Sequence, residues 1–359
     1  MLYKKIPLPF KIRKSVLALG SQAKNTVCFA SGKTAYVSRV RPDLSNPKEL
    51  QAFEKDARYF LKKKPKIIAY DLHPEYQSTK FALNLPLAIY YLKPIQHHHA
   101  HIASCMTENG LKNQPVIGVA FDGTGLGADN HIWGAEFLIC DYRKYKRAAH
   151  LKELPLLGGE RAILEPWRLA AFWLDGKIPG INNKKWLILK EMLRQEINSP
   201  WASSMGRLFD ASASLILGKK EAGFEAELAI ELEKLALSYK LQVKSYKFRT
   251  LKDNNGYFID PGPVLQGIVQ DLKSKKSRNE IACRFHLTVA EMIRRTCVIL
   301  RKNSLVNRVV LSGGVFQNSL LLRLSLGLLY MEGFSVFLHK ELSPNDSGIS
   351  LGQAVIAGI

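Results

Sequence analysis

The sequence predicts an α/β fold of two lobes, in which the order βββαβαβα runs twice and the second copy carries a mainly helical insertion. Three observations lead there. β-rich runs and amphipathic helical runs follow one another in the same order in both halves, without obvious sequence identity between them. Each copy opens on a buried strand that meets glycine: residues 16–20 end at Gly20, and residues 116–121 run into Asp122-Gly123-Thr124-Gly125. Four of the nine histidines crowd into Gln96-His97-His98-His99-Ala100-His101, at the head of the helix that closes the first copy.

Taken in order, residues 1–14 are basic and punctuated by Pro7 and Pro9, which reads as a linker-like segment. An N-terminal lobe at 15–113 follows. Residues 16–20, 25–30 and 34–40 are its three strands, the last two separated by the Ser31-Gly32-Lys33 turn. Residues 49–63 have helical period, with Leu50, Phe53, Ala57, Phe60 and Leu61 on one side. Strand 67–71 ends in an acid, Asp71; a helix from about 79, a strand at 92–96 and a helix over 101–109 complete the unit.

The second lobe, 114–359, repeats the pattern with strands at 116–121, 133–140 and 150–154. A long interruption at 158–277 holds helical segments at 165–175, 184–196, 205–217 and 225–238 and should lie over the cleft. Helix 281–302, strand 308–312, helix 318–330, strand 335–338 and helix 347–357 finish the copy. Two RNase H-like units back to back describe the architecture of actin, sugar kinases and heat-shock proteins. There a nucleotide sits between the lobes, and backbone amides at glycine turns reach its phosphates.

Composition narrows the class. At 47% hydrophobic and 23% charged residues this is an ordinary globular chain, and no apolar run approaches the ~18 residues of a membrane span. The first residues lack a signal core, so a cytoplasmic location is expected. The five cysteines form no Cys-x-x-Cys pair, which speaks against a zinc ribbon or a disulfide framework. A net charge of +21 would suit nucleic acid or any anionic partner. The basic runs are dispersed and carry little aromatic interleaving, so they read as solvated surface rather than a nucleic-acid face.

His97 and His101 stand one turn apart if the helix extends back to them, and imidazoles at i and i+4 can grip one metal ion. The same run also fits a helix N-terminus with solvated histidines. Asp122 can serve as a further ligand, and Gly123, Thr124 and Gly125 can form a β-hairpin phosphate loop. The run enters a meander rather than a helix, which excludes a dinucleotide fingerprint. In Ser312-Gly313-Gly314-Val315-Phe316-Gln317-Asn318 two glycines permit close approach of a nucleotide and Asn318 can cap a helix; a tight strand-to-helix turn explains the run equally. Asp346 stands at the head of the last helix, as an N-cap or as the acid that completes a set with His97, His101 and Asp122. In Glu165-Pro166-Trp167-Arg168, Arg168 beside Trp167 suits a planar anionic or carbamoyl-like group, or is simply a packed helix start with a surface arginine. His97, His101, Asp122 and Arg168 are the candidate catalytic residues.

The histidine run with Ile102-Ala103-Ser104-Cys105-Met106, Phe121-Asp122-Gly123-Thr124-Gly125 and Trp133-Gly134-Ala135-Glu136-Phe137 resembles the carboxy-terminal part of the hydrogenase maturation carbamoyltransferase family HypF. So do Asp71-Leu72-His73-Pro74-Glu75-Tyr76, Ser204-Met205-Gly206-Arg207-Leu208-Phe209-Asp210 and the Ser312–Asn318 run; the resemblance covers about residues 6–359. It implies that His97, His101, Asp122 and Asp346 hold a divalent ion, iron or zinc, with magnesium a further option, beside ATP or carbamoyl-adenylate. Asp210 and Glu225 would lie near the ribose, and Gly313, Gly314 and Asn318 near the adenosine. The family passes carbamoyl to the C-terminal cysteine of its partner HypE, the precursor of the cyanide ligand of [NiFe]-hydrogenase.

The family's acylphosphatase, zinc-finger and adenylate-forming modules have no counterpart in these residues, so carbamoyl-adenylate is expected from a separate domain or chain. Where the family reads Ser-Gln-His-Ile-Gly-Asp-Leu this chain has Ser38-Arg39-Val40-Arg41-Pro42-Asp43-Leu44, and for Glu-Gly-Gln it has Glu225-Ala226-Glu227. Partner and ribose contacts should differ there. Two related families are the rivals: transferases of threonylcarbamoyl to tRNA, whose motif carries Glu-Gly where this chain has His99-Ala100, and small-molecule O-carbamoyltransferases.

Overall fold

Both lobes of the computed structural model follow one sheet path, and the helix that ends each lobe packs on the other lobe's sheet. The structure describes residues 3–86, 88–178, 181–239, 243–254 and 256–359. In the first lobe β1 Lys4–Pro7, β2 Val16–Ala18, β3 Ala23–Asn25, β4 Cys28–Ser31, β5 Thr34–Val37 and β6 Arg41–Asp43 precede α1 Pro47–Leu61. β7 Ile67–Asp71, α2 Gln77–Leu83, β8 Tyr91–Ile95 and α3 His97–Glu108 complete it. The second lobe opens on β9 Val116–Leu126, β10 Ile132–Cys140 and β11 Tyr145–Leu151. Its insertion holds β12 Leu154–Pro155, α4 Arg161–Leu164, α5 Trp167–Leu174, α6 Asn183–Arg194, β13 Trp201–Ser204, α7 Met205–Leu217, α8 Glu227–Leu237, β14 Arg249–Asp253, β15 Gly256–Asp260 and α9 Gly262–Lys273. α10 Arg278–Ser304, β16 Arg308–Ser312, α11 Ser319–Met331, β17 Ser335–Phe337 and α12 Ile349–Gly358 close the chain.

Among the described residues the first sheet runs β1-β5-β4-β2-β7-β8 and the second β14-β15-β11-β10-β9-β16-β17. Within each, the third, second, first, fourth and fifth strands of the repeat lie side by side, the first three antiparallel and the rest parallel. That is the two-lobed actin and sugar-kinase arrangement expected from the repeated order.

Strand periodicity decides what covers each face. Along β2, Val16 and Ala18 point into the core beneath α12, while Leu17 points into the one under α1 and α2. α12 is buried along its whole length against the first sheet, and α3 against the second. The two helices cross where Gly352 meets Ala100, a contact that leaves no room for a side chain at 352.

Three expectations change. Residues 4–7, within the segment read as linker, form an edge strand paired with β5, because Ile6, Leu8 and Ile12 are apolar enough to enter the core; Met1 and Leu2 lie outside the described residues. The Asp122–Gly125 run is no turn. β9 continues through it to Leu126, and the hairpin turns only at 127–130. The insertion also adds strands: β13 pairs in parallel with β10, and the β14–β15 hairpin extends the sheet beyond β11.

Candidate metal centre and nucleotide cavity

α3 begins four residues earlier than the apolar period suggests, because the Gln96 side chain accepts a hydrogen bond from the His99 amide at 2.8 Å and caps the helix. His97 and His101 therefore sit one turn apart, wholly buried. Asp71, at the end of β7, accepts from His97 Nδ1 at 2.8 Å and turns Nε2 inward, where it has no hydrogen-bond partner among the described residues. His97 Nε2 is 3.6 Å from Asp122 Oδ2 and 3.7 Å from Asp346 Oδ1. The corresponding distances for His101 Nε2 are 2.9 and 3.6 Å. One ligand atom from each of the four residues lies within 4.8 Å of the others.

The carboxylates are held from behind. Asp122 Oδ1 accepts from the amides of Gly123 at 2.8 Å and Gly314 at 3.3 Å, which aims Oδ2 at the histidines. Asp346 is free to face them because its neighbour Asn345 does the capping, accepting from the Ser347 amide at 3.1 Å. Burial alone would lower the proton affinity of both imidazoles, but the facing carboxylates outweigh it and raise the pKa of His97 and His101. Burial would likewise raise Asp122 and Asp346, and the two histidines pull both below the usual carboxylate range. Two imidazoles and two carboxylates converging on a point with an orphaned nitrogen form a donor set that fits a divalent ion. The other two histidines turn away. His99 Nε2 donates to the Asp141 carbonyl at 2.6 Å, and burial lowers the pKa of His98 beside Gln96.

Beyond this cluster a cavity of about 520 Å³ opens between the lobes. Asp122, Asp346, Gly123, Thr124, Asp210, Glu225, Gly314 and Asn318 all line it. Asp210 is buried, and its pKa is pushed up to about 6 by that burial although Arg207 pulls the other way. Arg207 Nε forms an ion pair with Asp210 Oδ2 at 2.9 Å, off hydrogen-bond geometry, so among the described residues Nε, Nη1 and Oδ2 have no hydrogen-bond partner. Arg207 Nη2 donates to Glu225 at 3.1 Å. Asn318 caps α11, accepting from the Leu321 amide at 2.8 Å.

Three candidate residues lie elsewhere. Gly125 faces the histidine helix, where a Cβ would meet His98 at 2.6 Å and His97 at 2.8 Å. Gly313, at φ 103°, packs against the Phe121 backbone rather than on the cavity. Arg168 does not line the cavity: Glu165 holds its Nε at 2.8 Å and the Leu157 carbonyl its Nη1 at 3.1 Å. The residues that spacing missed are Asp71 as the orienting acid and Arg207 as the buried cation. The acid ending strand 67–71 and the arginine inside the Ser204–Asp210 run were the available signals.

Comparison with known proteins fits this geometry. Residues 11–108 match the family described as "HypF Kae1-like domain", and residues 118–353 the one described as "Carbamoyltransferase, Kae1-like Domain, second subdomain". The chain belongs to the HypF family. It is 36% identical to carbamoyltransferase HypF2 of Cupriavidus necator, covering 96% of this chain and 46% of that protein. With carbamoyltransferase HypF of a Synechocystis species it shares 34% identity, over 97% of this chain and 48% of the relative. The chain thus spans about half the length of these relatives. A shorter C. necator HypF homolog is 32% identical over 95% of this chain and 91% of its own length. The crystal structure of full-length HypF in its phosphate- and nucleotide-bound form superposes with a TM-score of 0.93 at 38% identity, covering 99% of this chain and 57% of that one.

Two departures from the HypF pattern now have a physical form. Arg41 is fully buried and pairs with Asp56 while donating to Ser38 Oγ at 3.0 Å. Ala226 adopts φ 66° at the head of α8 on the cavity wall.

Proposed function

We propose that this chain is a metal-dependent carbamoyltransferase that moves carbamoyl from carbamoyl-adenylate to the C-terminal cysteine thiol of a HypE-like protein, in the cytoplasm, for cyanide-ligand synthesis in [NiFe]-hydrogenase maturation. The observation that carries the reading is the opening of the two-histidine, two-aspartate cluster directly onto the interlobe cavity, through Asp122 and Asp346. The relatives' names, and the nucleotide- and phosphate-bound state of the matching HypF structure, support it.

His97, His101, Asp122 and Asp346 would hold the ion, and mixed nitrogen and oxygen donors suit iron or zinc better than magnesium. When bound, such an ion supplies a Lewis acid toward a phosphate or carbonyl oxygen. Arg207 and Asp210, ion-paired to each other, offer buried atoms without hydrogen-bond partners that suit ribose hydroxyls. In the transfer, the acceptor sulfur bonds to the carbamoyl carbon, the carbon–oxygen bond of the mixed anhydride breaks, and AMP leaves with the electron pair. The acceptor is external. All five cysteines are buried, and burial raises the pKa of each, so none is a ready nucleophile. A narrow peptide tail suits the interlobe cavity better than a folded RNA, and the net charge of +21 would draw an anionic adenylate.

The test supplies metal-loaded chain, carbamoyl-adenylate and a cysteine-ended HypE-like protein. Mass spectrometry should find carbamoyl on the terminal cysteine. Modification of tRNA with an untouched thiol would overturn the reading in favour of the threonylcarbamoyl transferases.

A further inference from the structure

His101 lacks the carboxylate that orients His97, yet its Nδ1 is not idle. It lies 3.4 Å from Ser312 Oγ, and Ser312 Oγ lies 2.8 Å from His339 Nε2. His339 Nδ1 is in turn 2.7 Å from Glu108 Oε1. Ser312 and the side chain of Glu108 are completely buried, and the His339 side chain is only 4% exposed. Neither His339 nor Glu108 touches the cavity, and the proposed transfer gives them no task.

We infer that Glu108, His339 and Ser312 form a relay that fixes the tautomer and orientation of His101, so that its Nε2 is presented to the metal. Such a relay presupposes the metal site proposed above, and its hydrogens are fixed from the acid outward. An ionised carboxylate only accepts, so His339 carries its hydrogen on Nδ1 and offers a lone pair at Nε2. Ser312 donates its hydroxyl hydrogen to that lone pair, and its oxygen is left to accept from His101 Nδ1–H. The remaining lone pair of His101 is then on Nε2, aimed at Asp122 and Asp346. At 2.9 Å from Asp122 Oδ2 it faces another acceptor, so a proton bridges the two in the metal-free protein and a metal ion can take its place. For His97, Asp71 achieves the same end in one bond.

The relay also fixes the fourth ligand. Glu108 stands seven residues after His101, on the same side of α3. Its Oε2 accepts from the amides of Lys340 at 2.8 Å, Glu341 at 2.6 Å and Leu342 at 3.1 Å. Those amides begin the loop that leads to Asp346. One carboxylate thus ties the Asp346 loop to the helix bearing both histidines.

Ser312→Ala, His339→Ala and His339→Gln test this, with the cobalt(II) absorption spectrum and a chelator competition for Zn²⁺ as readouts. Ser312→Ala and His339→Ala should each weaken Zn²⁺ binding by roughly 10–100-fold and alter the cobalt spectrum. His339→Gln, whose amide oxygen can accept from Ser312, should recover most of the affinity. Affinity within twofold of the native chain in Ser312→Ala, with an unchanged cobalt spectrum, overturns the inference even if His339→Ala fails to fold. A native chain that binds no metal overturns the metal reading and the relay together.

Discussion

Gly352 on α12 lies against the carbonyl of Ala100 on α3, so close that any β-carbon at 352 would overlap that oxygen. The residue flanked by two of the clustered histidines is therefore seated by a glycine from the far end of the chain. Gly352→Ala must push the helices apart, and overpacking of this kind costs about 3 kcal/mol or more against backbone. Urea unfolding should show that loss, and metal affinity should fall with it. An unaltered midpoint would mean the crossing is looser than this contact requires.

In the proposed metal site protons and metal would compete for the same two nitrogens, and the sign of the competition follows from the shifted groups. His97 and His101 are raised above 6.5, so their pairing with the aspartates stabilises the metal-free chain below that pH and is lost as pH rises through the raised values. Asp122 and Asp346 are lowered, so their share is present above 3.8 and disappears toward stronger acid. Metal requires neutral imidazoles. Zn²⁺ affinity should therefore climb from pH 6 to pH 8, as calorimetry can measure, and His101→Ala should abolish stoichiometric binding. Full metal content in that variant would remove His101 from the ligand set.

Ala226 holds φ 66°, and a left-handed alanine carries about 1–2 kcal/mol of backbone strain. Ala226→Gly should raise stability by about 1 kcal/mol in denaturant unfolding, because glycine's added freedom in the unfolded chain returns part of the relief. A destabilised variant would contradict the strained geometry.

Asp210 has its pKa raised to about 6 by burial, so the ionised carboxylate is a liability in the empty protein above that pH and a lesser one as pH falls toward 3.8. Asp210→Asn should stabilise the nucleotide-free chain at pH 8 by about 1–3 kcal/mol and weaken adenine nucleotide binding. Differential scanning calorimetry with and without ATP separates the two effects. Equal nucleotide affinity in the variant would free Asp210 from the binding role.

What the sequence disclosed, and what it hid, followed the range of the interactions. Strands 67–71 and 308–312 were legible to the residue because short apolar runs between turns have one good solution. The start of α3 was misjudged because its cap is a glutamine, an uncommon choice for which no propensity rule prepares the reader. The Asp122–Gly125 run looked like a turn because glycines usually are; here Gly125 is needed for close approach to the histidines. Ala226 read as a plain departure from Glu-Gly-Gln, and only its φ gives that departure a cost. Arg168, beside a tryptophan, looked available, but its i−3 partner Glu165 claims it. His339 and Glu108 lie 231 positions apart, and no local pattern could have paired them.

The exchange of helices between sheets has a consequence for how the chain reaches this state. The inner face of the first sheet, with Val16, Ala18, Cys28 and Ala30, is complete in sequence by Ile95, yet the helix that shields it is Ile349–Gly358. A nascent chain must carry that apolar face uncovered while the whole second lobe is synthesised. Such long-range closure makes for slow folding and a long exposure to aggregation. Removing α12 should leave a chain that depends on chaperones or precipitates, with neither lobe able to stand alone.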